Sequence, residues 1–141
     1  MKTMSKLLLM CSVFYLGSAL HAENDPIGDQ FFPPELVMRY QQTIDLTEEQ
    51  TKAIKSEIQN AQAKFTDLEW ELQKQMQSAE KEVSQQKIDE ANALSILEEV
   101  LSLENDIKRT HLTLLIRIKN LLTPEQQMEL EKVKQQIMED H

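Results

Sequence analysis

A chain of 141 residues has room for one domain, and its two glycines leave no material for a turn-rich β-sandwich or a glycine-rich phosphate loop. A formal charge of −9 with no basic stripe argues against nucleic acid, because phosphate binding needs clustered Lys and Arg. What remains is an acidic composition rich in Gln, Glu and Leu, which favours helices.

The N-terminal 22 residues read as a secretory signal peptide. Lys2 and Lys6 form a basic start, and Leu7 to Leu16 is an apolar run of about ten residues, too short to span a bilayer. Small residues follow, and cleavage is expected after Ala22, with Ala19 the second choice. Cys11 belongs to this segment, so the remaining chain has no Cys and folds by packing alone. The chain is therefore expected to enter an oxidising compartment, with no membrane span after cleavage.

Residues 23–33 read as a flexible N-terminal arm, and residues 34–139 as a helical domain. Pro33-Pro34-Glu35 predicts a short helix that carries Leu36, Val37 and Tyr40 and stops near Asp45. From Glu48 to about Val83, apolar residues recur at steps of three and four (Ile54, Ile58, Ala61, Phe65, Leu68, Leu72), which predicts one long amphipathic helix. Ser84 to Lys87 breaks the stripe and reads as a turn.

A third helix is predicted from about Asp89 to Leu121, with Ala93, Ile96, Val100, Leu103, Ile107, His111, Leu114 and Ile118 on its main stripe. Leu94, Leu97, Leu101, Leu112, Leu115 and Leu122 add a second stripe beside it. A fourth helix starts at Pro124 and uses Leu130, Val133 and Ile137. The turn pairs residue numbers that sum to about 171, so Ile54 faces about Arg117 and Trp70 faces about Leu101. The predicted fold class is thus all-α: a long antiparallel helical hairpin with short flanking helices. One hairpin partner cannot cover two stripes, so a homodimer is expected to bury the second through Leu112, Leu115 and Leu122. The other way to cover that stripe is for the first and fourth helices to fold back onto it.

Two segments read alike, Leu46-Thr47-Glu48-Glu49-Gln50 and Leu122-Thr123-Pro124-Glu125-Gln126. Each predicts a capping box, in which the Thr hydroxyl accepts from the Gln backbone N–H and the Gln side chain reaches back to the Thr N–H. The hairpin register brings both caps to its open end.

These paired LTxxQ motifs, on a helical chain behind a signal peptide, resemble the LTxxQ-motif periplasmic family of Spy/CpxP-like proteins. The stretches Phe32 to Met38 and Leu112 to Gln127 look closest to its heavy-metal-sensor and zinc-resistance-associated branch. The resemblance implies a hairpin dimer in the periplasm acting in envelope stress. Its partners would be unfolded envelope proteins or a membrane sensor, and the branch adds a divalent metal, zinc or nickel, as a candidate cofactor. In metal-sensing relatives a His-x-x-x-His pair precedes the first motif and a His-x-x-x-Met precedes the second. Here Pro34 to Asp45 contains no His, and Leu115 stands four residues after His111. The scaffold carries over and those ligands do not.

His111, on the main stripe, reads as a core histidine. Its only route to a metal is a symmetric dimer that adds Glu57, with His141 at the tail as a weaker donor. Trp70 lies off the main stripe, as a dimer contact or part of a client-binding face. No Gly-x-Ser-x-Gly or His-Glu-x-x-His occurs, and adjacent carboxylates such as Glu98 and Glu99 have no cleft, so a non-enzymatic protein is expected.

Overall fold

The computed structural model describes residues 26–139. The segment read as a signal peptide, with Cys11, and the tail residue His141 lie outside them. The described residues hold four α-helices, α1 (Pro34–Arg39), α2 (Glu48–Val83), α3 (Glu90–Leu121) and α4 (Pro124–Glu139), and no strand. A single 3-10 turn, Gly28–Gln30, precedes the compact unit that begins at Phe32 and contains all four helices.

Each helix start is written locally. Pro34 takes a first-turn position of α1, where its missing N–H costs nothing, and Glu35 sits at the positive end of the dipole. Thr47 caps α2 by accepting from the Gln50 N–H, and Asp89 caps α3 by accepting from the Asn92 N–H. Glu82 braces the hairpin turn from the other side, accepting from Asp89 N–H at 3.3 Å and from Asn92 Nδ2 at 2.8 Å. At 36 residues α2 is about 54 Å long.

The first helix is shorter than its sequence predicts, ending at Arg39 rather than near Asp45. Residues 40–45 form turns closed by Leu46 N–H donating to Gln41 O at 2.9 Å and Asp45 N–H donating to Gln42 O at 3.3 Å. That is the hydrogen-bond pattern of a Schellman motif, and Asp45 takes the left-handed conformation it requires, at φ 51°. Aspartate visits this region more readily than most residues, since its short polar side chain bonds locally.

The two long helices pack antiparallel against each other, so the molecule is a helical hairpin with short flanking helices. Its main core gathers at the open end. Val37, Ile54, Ile118 and Leu130, one from each helix, are fully buried, and Phe32, Ile44, Ala61, Leu114 and Leu122 join them. Lys119 and Lys134 lie over the Phe32 ring at 5.9 and 5.5 Å from its centre. The flanking segments therefore do fold back over the open end of the hairpin. Toward the turn, only Ala79, Ala93 and Val100 are buried, so the distal half is a bare two-helix seam.

This packing corrects three sequence expectations. Leu115 and Leu122 are buried within the chain, at 7% and 5% exposure, and are not available to a partner. His111 is exposed, and the core position belongs to Thr110. Thr110, Leu114, Leu115 and Ile118 are the buried positions on this stretch, and His111 is exposed although its helical position lies within about 40° of Ile107 and Ile118. Thr110 meets burial by donating its hydroxyl to Asp106 O at 2.8 Å.

Candidate functional site

The two LTxxQ segments meet at the open end and form one hydrogen-bonded clasp. In the first, Gln50 N–H donates to Thr47 Oγ1 and Thr47 N–H donates to Gln50 Oε1, both at 3.1 Å. In the second, Gln126 N–H donates to Thr123 Oγ1 at 3.2 Å and Thr123 N–H donates to Gln126 Oε1 at 2.9 Å. The capping boxes then join. Gln50 Nε2 donates to Gln126 Oε1 at 2.8 Å, and Gln126 Nε2 donates back to Gln50 Oε1 at 3.0 Å.

The remaining proton on each amide goes to the backbone at the other motif. Gln50 Nε2 donates to Leu121 O at 2.7 Å, and Gln126 Nε2 donates to Asp45 O at 3.3 Å. Asp45 and Leu121 stand just before Leu46 and Leu122, so the clasp repeats itself about a local pseudo-two-fold with an offset of 76 residues. Each amide thus uses both donors and both acceptor lone pairs. Beside it, Gln127 Nε2 donates to the Lys119 and Leu122 carbonyls at 3.2 Å, closing the C-terminal end of α3. The clasp is neutral and fully satisfied, and what it does is hold the termini of α2, α3 and α4 together.

The chemistry offered to other molecules lies along the hairpin. One side of the α2–α3 seam is tied by polar bridges, Arg117 Nη1 to Glu57 Oε2 at 2.8 Å near the open end and Asn92 Nδ2 to Glu82 Oε2 at 2.8 Å near the turn. By helical rotation, Met76 and Val83 of α2 and Leu97 and Leu101 of α3 flank the other side of that seam. All four are exposed. The exposed apolar surface continues onto the outer side of α3 with Leu94, Leu112 and Ile116. Trp70 is 69% exposed and points away from the seam, on the outer side of α2.

Charge divides α3 in two. Between Ile88 and Ile107 stand Asp89, Glu90, Glu98, Glu99, Glu104 and Asp106 with no Lys or Arg, whereas Lys108, Arg109, Arg117 and Lys119 follow with no acid among them.

The metal candidates do not converge. Glu57 is engaged by Arg117, His111 is exposed on α3, and no group of three or more His, Cys, Asp or Glu placed to hold an ion occurs among the described residues. No helix among the described residues is long and apolar enough to cross a membrane. Sequence reasoning missed the bond between the motifs and the exposed Met76, Val83 and Ile116. The change of charge sign along α3 was the readable signal for the outer strip. Comparison with family models, with curated proteins and with solved structures yields no match.

Proposed function

We propose that this chain is a non-enzymatic periplasmic envelope-stress protein of LTxxQ type. In this reading it binds other proteins, chaperone-like or as the regulator of a stress-sensing membrane partner, and works as a hairpin homodimer. The observation that carries the reading is the set of exposed apolar side chains on α2 and α3, held on a scaffold whose polar bridges and core lie elsewhere. A purely structural coiled coil would bury that surface in its own seam. The paired motifs and the leader-like N-terminus support the family and the compartment.

The dimer is placed on the outer strip of α3. Two α3 helices running antiparallel about Asn105 set Leu94 of one copy against Ile116 of the other. They also set the acidic half of each helix along the basic half of its partner, with Glu98 and Arg109 within one turn of each other. The deciding experiment follows the aggregation of a reduced, unfolded model protein with this protein present. Suppression near stoichiometric ratios is the expected result, and no effect at tenfold excess refutes the protein-binding reading.

A further inference from the structure

The side of the distal hairpin opposite the polar bridges has a composition of its own. On α2, Glu69, Met76, Glu80 and Val83 follow at steps of seven, four and three, and on α3 Glu90, Leu97, Leu101 and Glu104 repeat the same steps. Those steps keep each set on one side of its helix, and the antiparallel register lays the two sets along one groove. Met76, Val83, Leu97 and Leu101 are between 40% and 58% exposed, and the four glutamates are exposed around them. The groove spans four turns of each helix, about 20 Å. On α3, Leu97 and Leu101 stand about 60° and 20° from the line through Leu94 and Leu112, so this face adjoins the outer strip assigned to the dimer.

We propose that this groove docks a basic amphipathic helix of another protein, about 14 residues long, with apolar anchors at i, i+3 or i+4, and i+7 and Lys or Arg on its flanks. The proposal rests on the protein-binding reading and names the partner class. Charge complementarity selects the occupant. No basic residue lies on α3 from Ile88 to Ile107, and the rim between Glu90 and Glu104 carries glutamates, with Lys108 one turn beyond it. An acidic or neutral helix would leave the rim repelled or unpaired, whereas Lys and Arg flanks meet it at the edge of an apolar contact. The apolar floor supplies the area, and the rim supplies selectivity and salt dependence.

The test uses a fluorescein-labelled 16-residue peptide with Leu at i, i+3, i+4 and i+7 and Lys on both flanks, beside a control with Glu in place of every Lys. Fluorescence anisotropy with the protein is expected to give a Kd on the order of 10 µM at 50 mM salt for the Lys peptide, weakening several-fold at 500 mM salt. The Glu peptide is expected not to bind. Leu97→Ser/Leu101→Ser should weaken the Lys peptide at least tenfold and Glu80→Lys/Glu104→Lys at least fivefold, with helix content by circular dichroism unchanged because these positions are exposed.

Absence of binding by the Lys peptide overturns the proposal, as do equal binding of both peptides and affinities indifferent to both double variants. Sedimentation of Leu97→Ser/Leu101→Ser as a monomer, beside a dimeric wild type, also overturns it by assigning the groove to a second copy. Aggregation suppression without peptide binding would leave the protein-binding reading standing and remove only this partner class.

Discussion

Gln126 is buried without a charge, so its amide stays in the interior only because all four of its hydrogen-bonding positions are met. Gln126→Ala removes a helix cap, at about 1 kcal/mol, and leaves one Nε2 proton and one Oε1 lone pair of Gln50, and the Asp45 carbonyl, without their partner. The expected total is about 2–4 kcal/mol of stability, read as a lower denaturant midpoint with unchanged slope. Gln50→Ala should cost somewhat less, being less buried. The double variant should cost less than the sum of the two, with a coupling of about 1–2 kcal/mol. Strict additivity would mean that the bond between the motifs contributes nothing beyond two separate caps. This part of the site was half legible in the sequence. A capping box is written within three residues, so Thr47 with Gln50 and Thr123 with Gln126 can be read along the chain. The bond from Gln50 to Gln126 spans 76 residues and depends on a rotation about the hairpin axis that no local pattern encodes. Asp45 is a similar case, since a left-handed aspartate is one of many conformations open to that residue until the Schellman bonds select it.

At the scale of elements, burial is unequal along the same two helices. Ile54 and Ile118 are sealed at the open end, but the distal seam is made of alanines, Val100 and half-exposed side chains. Less apolar area per turn means less free energy holding each backbone hydrogen bond against local opening. Within α2, residues 68–83 are therefore expected to exchange amide hydrogen faster than residues 50–61. The comparison stays inside α2 because the proposed dimer strip lies on α3 and would protect that helix. Equal protection along α2 would contradict the picture of a firm base and a loose tip. Helix existence and length were legible because the three–four stripe persists over many turns. The exposure of His111 was not, because position 111 keeps the phase of the stripe and periodicity alone does not say which stripe positions the facing helix covers. Thr110 is buried on that stretch, and His111, expected as a core histidine, is exposed.

At the scale of the whole molecule, an acidic protein that self-associates needs a way around its own repulsion, and α3 offers one by separating its charges end to end. In the proposed dimer, antiparallel pairing about Asn105 lays Asp89, Glu90, Glu98 and Glu99 of each copy along the basic stretch from Lys108 to Lys119 of the other, while Leu94, Leu112 and Ile116 supply the apolar contact. Leu115→Glu is not a test of this arrangement, because Leu115 is buried within the chain and a charge there would unfold the monomer. Ile116→Glu is the informative change, since the side chain is 45% exposed and its loss leaves the hairpin core intact. Sedimentation at tens of micromolar should find the wild type dimeric and Ile116→Glu monomeric with unchanged helix content. Arg109→Glu should weaken the dimer as well, and adding Glu98→Arg should restore it, because only the antiparallel register brings those two positions together. A wild type that stays monomeric at 50 µM would remove the dimer from the proposed function. A dimer indifferent to both Ile116→Glu and the charge reversals would move its seam to another surface, with the distal groove the first to be tested.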